Sequence, residues 1–438
     1  MGIFNKLISS FPKNGIHNSQ VSLGLVISLI LVTLPLKNIY VSIATIGFVV
    51  AGLVMNQRQN IKNEKSIFLP ILFFIMLSFS LLWTNDFDAS LSGLQKSLSF
   101  IVIPVVFFII PKISKETQNW IFRVYSFGML VYASMYIIMA GINYYSTLNR
   151  ELFFNKNLVP EDPGTIYMSV FASFALFYFV QLKSRKNLEN VALIVLSTFI
   201  FLLSSKSIIT IDFVIIIWFY SFYAKISQAT KALTISAVSL FLFFSIFFVK
   251  EVKERFLIEF ETAFVDNIPT KENKELPNKI HNVSVAEAWN TKSFQQTDFF
   301  PGTALRVYQL RIFTEMQKEK PTFFTGFGLE ASQDQIREKC KIHNLNNEYG
   351  EYNFHNQFIQ TFAEIGIIGL LILIAMLTVN LFNGIKQKDF LHIAFAITMI
   401  MLFLSESFFC RQRGIVFFTL LYCLFNANNH ISQRDNIK

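Results

Sequence analysis

The chain has 438 residues, of which 53% are hydrophobic and 51 are phenylalanine, and its mean hydropathy is +0.46. This composition excludes a soluble globular protein. The net charge of +9 comes without a zinc-finger, RNP or helix-turn-helix pattern, so we predict no nucleic-acid partner and attribute the charge to membrane anchoring.

Continuous apolar runs recur along the chain, and roughly 18 or more apolar residues suffice to span a bilayer as a helix. About twelve runs fit this length within a few residues, near 21–36, 40–55, 66–83, 89–110, 120–141, 163–182, 190–204, 207–223, 231–249, 357–382, 389–408 and 413–426. They are continuously apolar rather than alternating, which excludes a β-barrel. Since backbone polar groups in lipid must bond internally, we predict an all-α polytopic membrane protein.

Basic residues in the short connections orient the predicted bundle, because they concentrate on the cytoplasmic side of a membrane. With a cytoplasmic N-terminus, the cytoplasmic segments hold 16 of them: Lys6, Lys13, Arg58, Lys62, Lys65, Lys112, Lys115, Lys183, Arg185, Lys186, Lys225, Lys231, Lys386, Lys388, Arg434 and Lys438. The opposite segments hold 6: Lys37, Arg150, Lys156, Lys206, Arg411 and Arg413. The long polar loop is therefore expected outside the cytoplasm.

Three parts follow along the chain: residues 1–249 with nine spans, residues 250–352 as an extracytoplasmic loop domain, and residues 353–438 with three spans and a cytoplasmic tail. The first run has no small-residue cleavage site, so we expect an uncleaved span. Within the loop we predict helices over Glu251–Phe264 and Thr303–Lys318. The absence of an inverted repeat between the halves disfavours a transporter.

His355 lies where the polar loop meets the next apolar run, in the segment Tyr352 to Leu373. A neutral imidazole at this depth is a candidate general base for a lipid-carried substrate; the alternative is an interfacial histidine that packs at a helix start. Asn356, Gln360 and Glu364 follow at four-residue spacing and share one helix face. A polar stripe is costly against lipid, so it should face a cavity or make interhelical hydrogen bonds.

Candidate cations occur at several predicted extracytoplasmic helix ends. Arg306 and Arg311 lie five residues apart, about 140° around a helix, so only one of them should face a substrate. Lys206 closes a short turn, where the alternative is a lysine that snorkels to the headgroups. Arg411 and Arg413 occupy another tight turn, where they either join a phosphate site or anchor the last hairpin.

Charged residues within the predicted spans are candidates for function or for structural pairing. Lys96 lies about two turns into its span, so it either binds a lipid carrier or pairs with an acid. Asp212 and Glu406 are its possible partners.

Four segments, taken in order, resemble the O-antigen ligase and polymerase family of membrane glycosyltransferases. They are LLSSKSIITI from Leu202, ALRVYQLRIFTEM followed by PTFFTGFGLEAS, NFHNQFIQTFAEIGIIGLL, and SESFFCRQRGIVFFTLL from Ser405. Tyr167, in DPGTIYMS, resembles a further element of the family. The resemblance covers roughly the whole chain in the order of its apolar runs, and its motifs are specific jointly rather than singly.

The resemblance implies a GT-C-like enzyme of the bacterial inner membrane. Such an enzyme moves a glycan from an undecaprenyl (polyprenyl) pyrophosphate carrier to an acceptor sugar hydroxyl, here expected on lipid A–core of lipopolysaccharide. Alternatives are an O-antigen, capsular or exopolysaccharide polymerase of the same family, whose acceptor is a second lipid-linked chain, and a lipid or polysaccharide transporter without covalent chemistry.

The resemblance also assigns roles to residues. It implies His355 as the general base, with Arg306 and Lys206 holding the pyrophosphate. Cations must stabilise that anionic leaving group, and the planar fork of arginine suits phosphate. No metal or cofactor is then required. Predicted substrate-binding residues are Arg311, Asn356, Gln360, Arg411 and Arg413.

Overall fold

The structure is a computed structural model that describes residues 18–55, 65–248 and 281–427. These residues form α-helices and short 3₁₀ or π turns, with one isolated β-bridge between Asn282 and Phe299. The helices are α1 (Asn18–Thr33), α2 (Asn38–Val54), α3 (Phe68–Phe79), α4 (Phe87–Ser97), α5 (Ser99–Ile109), α6 (Lys115–Thr147), α7 (Thr165–Val180), α8 (Asn187–Leu203), α9 (Lys206–Trp218), α10 (Gln228–Phe248), α11 (Val285–Asn290), α12 (Gly302–Glu319), α13 (Ser332–Ile342), α14 (Gln357–Gln387), α15 (Phe390–Phe403) and α16 (Gln412–Asn426).

Several helical segments are long and apolar enough to cross a membrane. Among the described residues there are five of them: Lys65–Leu82, Phe87–Ile109, Lys115–Thr147, Lys206–Tyr223 and Gln357–Gln387. Shorter apolar helices, including Asn38–Val54 and Thr165–Val180, pack beside them. The prediction of an all-helical membrane protein is therefore confirmed. The number of about twelve spans, the GT-C-like loop and the side on which that loop lies stay predictions.

Aromatic rings fill the centre of the bundle. Phe174 of α7 meets Phe417 of α16 with ring centroids 6.0 Å apart, and Phe395 of α15 meets Phe425 at 5.9 Å. Edge and offset contacts of this kind add to the burial of apolar surface. The core therefore joins α7, α15 and α16 into one rigid unit beneath the end that carries the loop.

Helices α9 and α15 run antiparallel, which decides where their ends lie. The rings of Trp218 and Phe219, at the end of α9, lie 6.3 and 4.4 Å from Phe390, which begins α15. The two helices are similar in length and pack along each other. Lys206, the first residue of α9, therefore lies at the end of the bundle where α15 finishes at Phe403. We call this the loop end, because α14 also begins there.

Helix α14 is broken within its first third. Ile365 and Gly366 have non-helical backbone angles, and Gly366 adopts φ of 68° and ψ of −168°. A Cβ on Gly366 would lie 2.2 Å from the Phe324 carbonyl oxygen, so only glycine allows this approach. After the break, the Ile367 amide donates to the Phe323 carbonyl at 2.9 Å. The backbone of a loop segment thus docks into an apolar helix.

The docking loop (residues 323–328) takes over backbone groups that the break leaves without helical partners. The Phe327 amide donates to the Ala363 carbonyl at 2.7 Å. The Gly328 amide donates to the Glu364 carbonyl at 3.0 Å. Buried backbone groups need such partners, especially within a membrane. The break is therefore stabilised by contacts from a separate part of the chain.

The described part of the loop domain, residues 281–352, has a small core of its own. Helix α12 confirms the predicted helix Thr303–Lys318, with one more residue at each end. Its buried side chains Tyr308 and Ile312 pack with Phe300 and Ile336. The other predicted loop helix, Glu251–Phe264, lies outside the described residues.

A buried polar cluster crosses the core of the loop domain. The Tyr308 hydroxyl lies 2.9 Å from Nδ1 of His343, and Nε2 of His343 lies 3.3 Å from the Glu315 carboxylate. Burial lowers the pKa of His343. Burial alone would raise the pKa of Glu315, but the hydrogen bond from Arg311 and the neighbouring positive charges lower it. The imidazole is therefore held neutral, and the carboxylate is held charged.

These shifts predict that the loop domain loses stability on acidification. Both groups have a lower pKa in the folded state than in the unfolded chain. Their contribution is complete above the ordinary histidine value of about 6.5 and falls as the pH drops below it. We expect the melting temperature to drop by a few degrees between neutral and mildly acidic pH. A His343→Gln variant should show a smaller drop, whereas His281→Gln should behave as the unmodified protein; equal drops in all three would contradict this.

Candidate active site

The candidate site is built around the connector between α15 and α16, residues 404–411. His355 meets it from the start of α14: its Nδ1 lies 3.4 Å from Oε2 of Glu406. The His355 side chain is 25% exposed and that of Glu406 is 11% exposed. An imidazole and a carboxylate are thus paired at the loop end of the bundle, with the imidazole still open to a ligand.

The backbone of His355 is held in an unusual conformation. Its φ is +44°, in the left-handed region that costs a non-glycine residue about 1–2 kcal/mol. The His355 amide donates to Oδ1 of Asn353 at 2.9 Å, and the next amide, of Asn356, donates to Oγ of Ser407 at 3.2 Å. Hydrogen bonds on both sides therefore compensate for the strain and aim the ring at Glu406.

Asn356 and Gln360 support this turn. Oδ1 of Asn356 caps α14 by accepting the Ile359 amide at 3.0 Å, and its Nδ2 donates to the Leu404 carbonyl at 3.2 Å. Gln360 is buried, and its Oε1 accepts the Phe354 amide at 3.3 Å. The amide groups of both residues thus bond to the protein itself, because the turn before a buried helix needs these partners. That the two residues bind substrate stays a prediction.

Arg306 reaches the same connector from the loop domain. Its Nε and Nη2 both donate to the Ser405 carbonyl, at 3.1 and 3.0 Å, and Nη1 donates to the Gly302 carbonyl at 3.0 Å. The guanidinium thus lies beside the residue that precedes Glu406. The guanidinium hydrogen bonds link α12 to the connector, and the positive charge of Arg306 lies beside the candidate site.

Two further cations belong to the loop end. Lys206 lies at the loop end, since it begins α9 and α9 runs antiparallel to α15. Arg411, at the end of the connector, is 46% exposed and lies 3.5 Å from Asp162. Its guanidinium stands 5.5 Å from the centre of the Tyr167 ring, and the Tyr167 hydroxyl donates to the Phe408 carbonyl at 3.0 Å. Tyr167 therefore ties α7 to the connector and positions Arg411.

Arg311 and Arg413 are buried and bonded to other parts of the protein, and their predicted role in substrate binding stays a prediction. Arg311 is 8% exposed and bonds to Glu315 and to the carbonyls of Ala288 and Thr291. The loop core needs it to satisfy those acceptors.

Arg413 has no exposed surface. It donates to the carbonyls of Leu34 and Leu36 at 3.2 Å each and to Asp162 at 2.7 Å. A buried guanidinium must satisfy its donors in this way. It therefore fastens α16 to the end of α1.

The charged residues inside the spans pair differently from the prediction. Lys96 lies 2.8 Å from Glu330 of the loop domain, not beside Asp212 or Glu406. Asp212 accepts from the Ser173 hydroxyl within the bundle. The reason is that the docking loop brings Glu330 down to α4, a contact that no local sequence pattern encodes.

The partner of Glu406 differs from the one that the sequence suggests. Glu406 was considered only as a partner for Lys96, whereas the structure gives it to His355. The available signal was its position in Ser405-Glu406-Ser407, an interruption between two apolar runs at the end of the bundle that also holds His355.

This arrangement can carry out general base chemistry next to an anion. When Nδ1–H of His355 points at Glu406, Nε2 keeps its lone pair and can accept a proton from a hydroxyl. The carboxylate then stabilises the imidazolium that forms. Arg306, Arg411 and Lys206 supply positive charge at the same end of the bundle.

Comparison with known proteins gives one match. Residues 191–374 match the family model described as O-antigen ligase. This interval runs from α8 to the middle of α14 and contains Lys206, Arg306 and His355, whereas Glu406 and Arg411 lie after it. No curated protein matches the chain. The predicted resemblance to the O-antigen ligase family is thus confirmed over residues 191–374.

Proposed function

We propose that the protein transfers a glycan from a polyprenyl pyrophosphate carrier to a sugar hydroxyl at the extracytoplasmic face of a bacterial inner membrane. The match of residues 191–374 to the O-antigen ligase model supports activity of the ligase or polymerase type. The main support for the proposal is the pairing of His355 with Glu406 of the connector. Arg306 is hydrogen-bonded to Ser405, the residue before Glu406. A base and a cation side by side suit a hydroxyl acceptor and a phosphate leaving group.

In the proposed reaction, Nε2 of His355 takes the proton of the acceptor hydroxyl. The acceptor oxygen forms a bond to the anomeric carbon of the donor sugar. The bond from that carbon to the pyrophosphate oxygen breaks, and the carrier pyrophosphate leaves with the electron pair. Charge grows on the leaving oxygens as the bond breaks, so cations placed beforehand stabilise the transition state.

Each charged residue has a distinct role in this proposal. Arg306 and Lys206 hold the pyrophosphate, as the family resemblance implies, and Arg411 adds an exposed guanidinium at the same end. Glu406 is a positioning residue, because it acts through His355 rather than on substrate. By accepting Nδ1–H, its carboxylate selects the neutral tautomer in which Nε2 carries the lone pair.

The acceptor is proposed to be lipid A–core, and a second lipid-linked chain is the alternative. A glycan gel of cells with and without the chain distinguishes the two. Loss of a ligase leaves bare core and long polymer on the carrier, whereas loss of a polymerase leaves core with a single repeat. Normal glycans in the deleted cells would contradict both, and donor accumulated on the cytoplasmic side would indicate a transporter.

Arg306→Lys tests the guanidinium directly. Lysine keeps the charge but cannot make the paired hydrogen bonds to the Ser405 carbonyl. We expect the transfer rate to fall by about 10-fold to 100-fold, the effect of losing one or two charge-assisted hydrogen bonds. The measurement is the initial transfer rate of purified protein with a lipid-linked donor.

Arg337→Lys is the matched control for that variant. Arg337 also makes a paired contact, to Glu351 on the exposed surface of the loop domain, where ion pairs contribute little. Its transfer rate should stay near that of the unmodified protein. Equal rates for both variants would remove Arg306 from the proposed site.

A further inference from the structure

A large cavity opens at the end of the bundle opposite the loop end. Its volume is about 1370 Å³, and the ends of α7, α9, α14 and α16 surround it together with the starts of α6, α10 and α15. Ligand pockets typically measure about 300–1,000 Å³. The proposed transferase reaction at His355 uses none of its residues.

The rim of this cavity carries a strong excess of positive charge. Its basic side chains are Lys112, Lys115, Lys183, Arg185, Lys225 and Lys388. Among the described residues of its lining, the acidic one is Asp389, which is paired with Lys115. Basic side chains therefore outnumber acidic ones in the described lining.

One of these cations is already fixed in place. Nε of Arg185 donates to the Phe179 carbonyl at 2.9 Å, and Nη2 donates to the Val180 carbonyl at 2.8 Å and to the Tyr220 hydroxyl at 3.2 Å. These contacts use one edge of the guanidinium and leave the two N–H groups of Nη1 for a ligand. An arginine held in this way loses little entropy when it binds phosphate.

The inner wall of the cavity is apolar and has an unusual backbone. After α9 the chain makes a π turn, Phe219–Tyr223, closed by the Ala224 amide donating to the Phe219 carbonyl at 2.9 Å. Such turns often occur at functional sites. The rings of Phe219, Tyr223 and Phe390 line the cavity beneath its basic rim. The cavity thus combines a basic rim with an aromatic inner wall.

We propose that this cavity binds the phosphate headgroup of an anionic phospholipid, with the start of its acyl chains against the aromatic inner wall. The rim recognises a phosphate monoanion or diester, and the fixed guanidinium of Arg185 provides directional donors. A soluble phosphate would satisfy the rim but not the apolar wall. The combination of both surfaces therefore favours an amphiphile, and basic pockets between membrane helices are suited to such headgroups.

Native mass spectrometry of the full chain in detergent, titrated with phosphatidylglycerol, tests the proposal. Lys183 and Lys225 are exposed rim residues, so the double variant Lys183→Gln and Lys225→Gln should fold normally. We expect its phosphatidylglycerol affinity to fall by about 30-fold, from the typical contribution of two lysines near a lipid surface. The charge-matched control, Lys65→Gln with Lys386→Gln, changes exposed lysines outside the cavity and should bind as the unmodified protein does.

Three results would overturn the proposal. The first is equal affinity in the two double variants. The second is binding of phosphatidylcholine as tight as that of phosphatidylglycerol. The third is displacement of phosphatidylglycerol by equimolar inorganic phosphate, which would assign the site to a soluble anion. Arg185→Lys gives an independent check, because it keeps the charge and should still weaken binding if the oriented fork matters.

Discussion

Replacing His355 with glycine should lower the glycan-transfer rate by about 10²–10⁴-fold, the usual contribution of a general base. Glycine is the informative replacement because His355 has a φ of +44°, which glycine adopts without strain. The fold should therefore survive, and the melting temperature should stay within a few degrees of its original value. The measurement is the initial transfer rate of purified protein with a lipid-linked donor.

Chemical rescue makes this test specific for the imidazole. Glycine leaves space beside Glu406, so added imidazole should restore part of the rate, and the restored rate should depend on the fraction of imidazole that is neutral. Glu406→Gln should lower the rate by about 10-fold to 100-fold without rescue, because the imidazole is still present but no longer held by a charge.

Asn344→Gly is the matched control for the backbone. Asn344 also has a left-handed φ, of 56°, but lies in the loop domain. Its glycine variant should retain full activity. A His355→Gly protein that is folded and still transfers glycan at the original rate would eliminate His355 as the base.

The sequence alone is sufficient to place the main candidate residues at one end of the bundle. Apolar runs alternate in direction, so the residues at their junctions fall into two sets, and His355, Lys206 and Arg411 belong to the same set. The order of short motifs then singled out Arg306 within the loop. These inferences need only the length of each span and the positions of polar residues.

The sequence could not show which cations lie at the candidate site and which are buried elsewhere in the protein. Arg311 and Arg413 look equivalent to Arg306 and Arg411 when only spacing is considered. Their burial depends on acceptors elsewhere in the chain, such as the Leu34 carbonyl for Arg413. Such acceptors belong to the backbone, so residue types do not reveal them. The same reason explains why Glu330, rather than a membrane acid, pairs with Lys96.

The break in α14 was also hidden from sequence reasoning. The residues around it continue an apolar run, so the pattern predicts an unbroken helix. Glycines in an apolar run also suit close helix packing, so they do not by themselves mark a break. The pattern does not show that the docking loop, residues 323–328, packs against this helix. The amides of that loop replace the helical donors at the break.

Gly366→Ala should have the largest effect on stability. An alanine at φ of 68° costs about 1–2 kcal/mol in backbone strain. In addition, its Cβ would lie 2.2 Å from the Phe324 carbonyl oxygen, so the docking loop must move. Movement would leave buried backbone groups of α14 unpaired, at about 1–3 kcal/mol each. We therefore expect a total loss of about 3 kcal/mol or more.

The functional consequence follows from the position of the break. The segment of α14 before Gly366 begins next to His355, and the docking loop fixes the direction of that segment. Gly366→Ala should therefore reduce glycan transfer together with the melting temperature and should expose the docking loop to limited proteolysis.

Gly141→Ala is the matched control. Gly141 lies inside helix α6, and a Cβ there meets no atom within 4 Å. It should be neutral or stabilising by up to about 1 kcal/mol. Equal melting temperatures and protease patterns in the two variants would show that the docked loop does not hold the site.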